Sequence, residues 1–163
     1  MMQAIELNFR EVSSHIKIRN TGLKKEIWDL LRKKWLVLQP EEWVRQILIH
    51  ILIYKYGYSK NCIALEKAFQ INGRIKRFDI LVYDGQLKPY ILAECKSFDI
   101  PLQQNVFDQL SVYNTHVRAP FLIASNGVYT YCFKQNHESR HLSFLEDIPL
   151  PAKGRENTQN ENK

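Results

Sequence analysis

IKRFDILVYDGQLKPYILAECK, residues 75–96, is the stretch that decides the fold. Two runs rich in β-branched, aromatic and aliphatic residues, Ile75–Tyr83 and Tyr90–Lys96, are parted by Asp84-Gly85 and Pro89. They read as strands joined by a short loop. Both are apolar on both faces: Phe78, Ile80 and Val82 are expected on one side of the first, Leu81 and Tyr83 on the other. Strands of that kind lie in the middle of a sheet with helices over it. Three ionisable residues, Asp79, Glu94 and Lys96, interrupt them. A hairpin about 84–89 pairs Tyr83 with Tyr90 and therefore Asp79 with Glu94. Opposed side chains on one face stand roughly 5 Å apart at Cβ, where like charges repel. Lys96 projects from the same face as Glu94. Two carboxylates and an ammonium thus meet at one spot. A divalent cation would relieve the repulsion, since Mg²⁺ takes carboxylate oxygens at about 2.0–2.1 Å and keeps several waters. On the residues alone, an ordinary buried Lys–Glu–Asp cluster without metal, or a different register, remains an equal alternative.

Outward from that core, Cys62–Gln70 reads as a further strand, turned into the first by Asn72-Gly73, a hairpin dipeptide. Upstream, Pro40 opens a helix at the position where its missing N–H costs nothing, and Glu41 and Glu42 follow in the dipole-favoured first turn. Trp43, Val44, Ile47, Leu48, Ile51 and Leu52 form its apolar stripe, and Gly57 stops it. Downstream, Val106–Val117 reads as a helix. Phe121–Ala124 and Val128–Phe133 form a last strand pair around Asn126-Gly127. At the start of the chain, Ala4–Arg10 alternates as a short strand would. Leu23, Ile27, Leu30 and Leu31 stand at helical spacing and predict a helix over Leu23–Trp35. The expected fold class is α/β, a mixed central β-sheet flanked by α-helices.

The 163 residues suit one domain over 1–150, and residues 151–163, almost all polar, read as a disordered tail. Three scattered cysteines with no CxxC argue for a reducing compartment and against a disulfide scaffold or cysteine-rich zinc site. The longest apolar run, Ile47–Tyr54, is far too short to span a bilayer, and no signal peptide is visible. A soluble, cytoplasmic protein without membrane partners is expected. Net charge is +6, concentrated at +4 in residues 1–36, where a polyanion would be attracted. HESRH (137–141) spells the zincin pattern H-E-x-x-H, but it lies in a short polar stretch with no scaffold for a third ligand. Trp28, Trp35 and Trp43 could stack on bases, yet helical spacing assigns two of them to core packing.

Asp79 followed by Glu94-Cys95-Lys96 resembles the D…ExK core of the PD-(D/E)XK nuclease superfamily. Gln109-Leu-Ser-Val-Tyr113 resembles the QxxxY motif that follows the core in some of its families. Those two residues are four apart and share a helix face. More closely, the chain resembles the N-terminal nuclease-like domain of type I restriction-enzyme R subunits. The resembling segments are PEEWVRQ (40–46), KRFDILVYD (76–84), AECK (93–96), DQLSVYN (108–114) and SNG (125–127), in order and at consistent spacing.

The resemblance implies a restriction-endonuclease-like core and Mg²⁺-dependent DNA endonuclease activity, with Mn²⁺ as substitute. Asp79 and Glu94 would ligate the metal, joined by the Cys95 backbone carbonyl. Lys96 would position or activate the attacking water, or stabilise phosphate charge. Gln109 and Tyr113 would support the site or the DNA backbone, and Glu42 would be the helical acid near the metal. DNA is the expected partner, together with other restriction-system subunits. Phe78 stands where the superfamily's name has Pro, and no G-x-x-x-x-G-K-[ST] is present, so a stand-alone form without the helicase motor is expected. The alternatives are a catalytically silent nucleic-acid-binding or assembly module of the same fold, and a nuclease acting on RNA or repair intermediates.

Overall fold

The computed structural model describes residues 3–139 and 141–152. The polar tail expected over 151–163 lies outside the described residues from 153 onward. Asn72 and Gly73 take φ of +49° and +75°, the left-handed pair that a tight hairpin with natural strand twist demands. They join β4 (Ile63–Ile71) to β5 (Arg74–Tyr83), which pair antiparallel from Ile71 and Arg74 back to Ile63 and Val82. Asp84 then accepts the N–H groups of Gln86 and Lys88 and turns the chain into β6 (Pro89–Cys95). The long helix α2 (Gln104–Val117) crosses to β7 (Phe121–Ser125), so β6 and β7 run parallel. β8 (Thr130–Gln135) and β9 (Leu142–Leu145) follow antiparallel, giving one six-stranded mixed sheet in sequence order, β4 to β9.

A helix covers each face. α1 (Pro40–His50) begins with proline in its first turn and runs on as a π-type turn over Ile51–Lys55. It buries Val44, Leu48, Ile51 and Leu52 against Ile80, Val82, Ile91 and Ala93. α2 buries Phe107, Leu110 and Val117 against Leu81, Leu92, Leu122 and Phe133. Gly127, at φ +82° in the β7–β8 turn, meets α1 closely: a Cβ there would stand 3.1 Å from Val44 Cγ2. The mixed α/β class expected from the sequence is the class observed.

The N-terminal third differs from expectation. Residues expected as a helix over Leu23–Trp35 form a three-stranded antiparallel sheet: β1 (Ile18–Thr21), β2 (Lys24–Asp29) and β3 (Lys34–Val37). Of the supposed apolar stripe, only Ile27 is fully buried, and Leu23 is wholly exposed. Turn chemistry overrides the spacing. Gly22 reverses the chain at φ +68°, and buried Asp29 accepts the N–H groups of Leu31 and Arg32 to form the second turn. Trp28 and Trp35 are cross-strand partners rather than helix-core residues, and the Arg19 guanidinium lies 4.3 Å above the Trp35 ring.

Ala4–Arg10 is not a strand either; a single bridge from Ile5 to Thr130 is followed by a 3₁₀ turn, Phe9–Glu11, which Asn8 caps. A bulge after Val82 sets Tyr83 opposite Pro89 instead of Tyr90. β9 is a strand the periodicity does not show, and the described residues of HESRH, 137–139 and 141, lie between β8 and β9. There Asn136 accepts the N–H groups of Glu138 and Ser139 in a tight turn rather than a helix.

His50 closes α1 in the core and donates Nδ1–H to the Gln46 carbonyl at 2.7 Å. Burial holds its pKa below the ordinary histidine value. The unfolded chain therefore takes up a proton first as pH falls below about 6.5, and the fold loses stability there. Thermal unfolding at pH 7 and pH 5 is expected to show a smaller drop for His50→Leu than for the wild type. An equal drop would place the acid sensitivity elsewhere.

Candidate active site

β5 and β6 part company at one point. Their ladder runs through Val82–Ile91 and Ile80–Ala93, and the next opposed pair would be Asp79 and Glu94, in the register read from the sequence. Instead the Asp79 carboxylate takes over: its Oδ2 accepts the Cys95 N–H at 2.6 Å, satisfying a main-chain donor that the ladder leaves open. The β4–β5 hairpin inverts at the same level. Glu66 adopts φ +48°, and the Glu66–Asp79 pair is skipped in the ladder. Inside this point Ile63, Leu65, Ile80 and Val82 face α1; outside it Phe69, Ile71 and Phe78 pack under α2. Phe78 therefore does not share the side of Ile80 and Val82 as simple alternation predicts.

The inversion aims Glu66 and Asp79 at α1, where Arg45 waits. Its Nη2 lies 2.9 Å from Asp79 Oδ1 and 3.3 Å from Glu41 Oε1. Its Nη1 lies 2.6 Å from Glu42 Oε2 and 3.4 Å from Glu66 Oε1. The Arg45 side chain is only 8% exposed. Burial disfavours its charge, but Asp79 and Glu42 outweigh that and raise its pKa, so the guanidinium stays ionised. Glu66 reaches on to Arg32 Nη2 at 3.2 Å, and Arg32 Nε to buried Asp29 Oδ2 at 3.4 Å, which ties the small sheet to the cluster.

Lys96 Nζ donates to Glu94 Oε1 at 2.7 Å, with the two side chains 30% and 23% exposed. Burial pushes the Glu94 pKa up, and the neighbouring Asp79 charge adds to it, against the pull of Lys96. Burial works against the Lys96 ammonium too, but its hydrogen bond to Glu94 prevails and its pKa is raised. The Lys96 main chain is fixed as well, since its N–H donates to the Ser125 carbonyl at 2.8 Å and extends the parallel β6–β7 ladder.

The Cys95 thiol is fully buried in the α1-side core, and burial pushes its pKa well up, so only the main chain of this residue reaches the site. Gln109 Nε2 donates to the Tyr113 hydroxyl at 2.5 Å. That bond, with Lys76 nearby, lowers the tyrosine's pKa. The Tyr113 ring leans on Phe78, the residue before Asp79.

Glu42 is engaged by Arg45 and by Gln46 Nε2, rather than turned directly to Asp79 or Glu94. The structure thus gathers Asp79, Glu94 and Lys96, sets Gln109 and Tyr113 beside them through Phe78, and links Glu42 through Arg45. Arg45, Glu41 and Glu66 were not singled out from the sequence. The available signal was an arginine and a glutamine inside the otherwise apolar stripe Trp43–Leu48, a position that charged residues occupy only when paired.

Among the described residues, no three His, Cys, Asp or Glu side chains are grouped to hold a metal ion. Asp79 and Glu94 offer only carboxylate oxygens, a donor type that Mg²⁺ and Mn²⁺ accept, and both oxygens of Asp79 already have partners in Arg45 and the Cys95 N–H.

Residues 40–149 match the family model described as Type I restriction enzyme R protein N terminus (HSDR_N). The chain belongs to this family. Its matched region begins at the first residue of α1 and contains Arg45, Asp79, Glu94, Lys96, Gln109 and Tyr113, whereas β1–β3 lie before it. The fragment structure of a putative HsdR subunit of a type I restriction enzyme from Vibrio vulnificus YJ016 is similar over 63% of this chain and 22% of its own, at 19% identity and a TM-score of 0.47. The matched part spans about a fifth of that chain's length. No curated protein matches the sequence.

Arg45→Met leaves the half-buried Asp79 and Glu42 carboxylates without their shared cation. Urea unfolding in chelator is expected to show a loss of about 3 kcal/mol. Glu66→Gln, at a side chain 45% exposed, is expected to cost under about 1 kcal/mol. Equal losses would mean that Arg45 is not the centre of the cluster.

Proposed function

We propose that the chain is a PD-(D/E)XK-type nuclease domain that hydrolyses DNA phosphodiester bonds with Mg²⁺, or Mn²⁺ in its place. The observation that carries the reading is the meeting of Asp79, Glu94 and Lys96 where β5 and β6 separate, in a chain of the restriction R-subunit family. Asp79 and Glu94 would hold the metal through carboxylate oxygens, with the Cys95 carbonyl as a third protein donor. When bound, the cation would supply Lewis-acid stabilisation of phosphate charge and a more acidic water.

Lys96, kept charged by Glu94, donates hydrogen bonds to the attacking water or to a non-bridging phosphate oxygen, where negative charge grows in the transition state. Glu94 in turn fixes the Lys96 ammonium in place. Gln109 and Tyr113, already bonded to each other, offer an amide and a hydroxyl to the DNA backbone beside the reacting phosphate. Glu42 acts through Arg45, steadying the guanidinium that orients Asp79. Within this reading the other partners are restriction-system subunits and the compartment is the cytoplasm. No described helix is long and apolar enough to cross a membrane.

One observation favours a second reading, a catalytically silent module that binds nucleic acid or assembles with other subunits. Arg45 holds Asp79 Oδ1 and the Cys95 N–H holds Oδ2, so both oxygens of that carboxylate already have partners. Supercoiled plasmid incubated with wild type or Lys96→Ala, in Mg²⁺, Mn²⁺ or chelator, separates the two. Nicking that requires metal and falls at least about 100-fold in the variant is expected. Cleavage that persists in chelator, or is unchanged in Lys96→Ala, would remove the assignment. An inert wild type in both metals would leave the binding module as the better reading.

A further inference from the structure

We propose that the outer half of the β4–β5 hairpin, residues 67–78, is a cationic arm that holds the sugar–phosphate backbone of duplex DNA beside the candidate active site. β6 pairs with β5 only from Ile80 onward, so residues 74–78 have no strand partner except β4, and the hairpin runs on past the sheet. This extension carries Lys67, Arg74, Lys76 and Arg77 and no acid between 67 and 78.

Among the described residues, none of the four is in an ion pair, whereas Arg19, Arg32, Arg45, Lys55 and Lys96 all face carboxylates. Lys67, Arg74 and Arg77 are exposed. Lys76 is half-buried, with its ammonium 5.4 Å above the Tyr113 ring.

Placement follows from the inversion at Glu66 and Asp79. Beyond it Lys67, Arg74 and Lys76 share the face on which Phe69, Ile71 and Phe78 pack under α2, so these cations fringe the side where Gln109 and Tyr113 stand. Arg77 lies two residues from Asp79 along β5 and shares the opposite face with it. The cations therefore continue the polar rim of the catalytic cluster onto the arm. Unpaired guanidinium and ammonium groups on long stems are phosphate donors. Ile75, 74% exposed at the tip, is the only large exposed apolar side chain on the arm, too little for a membrane or a protein hot spot.

This proposal rests on the nuclease reading for its choice of DNA. Fluorescence anisotropy of a labelled 20-base-pair duplex in chelator, across 50–200 mM salt, tests it without cleavage. The variant Lys67→Gln/Arg74→Gln/Lys76→Gln/Arg77→Gln is expected to bind at least about tenfold more weakly. Its slope of log affinity against log salt is expected to be shallower by about 3, as the loss of three or four phosphate contacts requires.

Lys24→Gln/Lys25→Gln/Lys33→Gln/Lys34→Gln on the small sheet removes the same charge elsewhere and is expected to change the slope by less than about 1. A hairpin variant with wild-type affinity and slope would overturn the arm, as would a control variant that loses as much. Failure of the wild type to bind the duplex would overturn the DNA reading along with it. Thermal unfolding verifies that each variant is folded, and Arg74→Gln/Lys76→Gln at the tip serves if the fourfold change is not tolerated, with about half the change in slope expected.

Discussion

One guanidinium decides how the parts of this molecule sit together. Arg45 is buried beside four carboxylates drawn from three elements: Glu41 and Glu42 of α1, Glu66 of β4 and Asp79 of β5. Taking the guanidinium out of water is expensive, and the arrangement holds only because the carboxylates around it compensate its charge. Helix α1 therefore cannot slide or rotate on the sheet without uncovering an unpaired charge. Through Glu66 and Arg32 the constraint extends to Asp29, where the turn of the three-stranded sheet is made. The apolar contacts beneath α1 supply the bulk of the cohesion, and the ion cluster supplies the register.

Around that anchor, the acidic cluster is built by interruption of regular structure. A continuous ladder between β5 and β6 would have consumed the Cys95 N–H, and strict alternation would have pointed Asp79 away from α1. Ending the ladder one pair early frees the N–H for the Asp79 carboxylate, and the inversion at Glu66 turns both acids toward one helix. β6 continues undisturbed on its other side, because the Lys96 N–H is taken by the Ser125 carbonyl of β7. The loop beyond is held in turn by Asn126, which donates to the Ile100 carbonyl at 2.8 Å. Two flexible charged side chains, Glu94 and Lys96, are thus carried on a main chain fixed on the β7 side.

The six strands and two helices of the central layer divide by how loudly the residues speak. β5, β6 and β7 are continuous apolar runs, Asn72-Gly73 is an unambiguous turn, and Pro40 with Glu41 and Glu42 marks a helix start. All of these were legible. So was the meeting of Asp79 with Glu94 and Lys96, because charge inside a buried strand has to be explained.

Residues 23–35 read as a helix because Leu23, Ile27, Leu30 and Leu31 fall by chance at helical intervals, while the features that decide the segment are the reversal at Gly22 and the side-chain turn of Asp29. β9 is four residues at an edge, too short to show a period. The inversion could not be seen at all, since nothing about a glutamate announces a left-handed backbone. Arg45 is visible as an arginine in an apolar stripe with Glu41 and Glu42 a turn before it, but its pairing with Glu66 and Asp79 is not, as those come from strands whose facing depends on that inversion.

The left-handed residue at Glu66 has one further effect, on solubility. β4 is an outermost strand of the six-stranded sheet, and a long, straight outermost strand is a template on which other chains can add. At nine residues β4 is long enough to be such a hazard. The break at Glu66 divides it into two short pieces whose faces no longer agree, and Lys67 follows immediately as an exposed charge. A second copy laid along this edge could match one piece but not both. The same backbone distortion that turns Glu66 and Asp79 toward Arg45 therefore guards the sheet against edge-to-edge polymerisation.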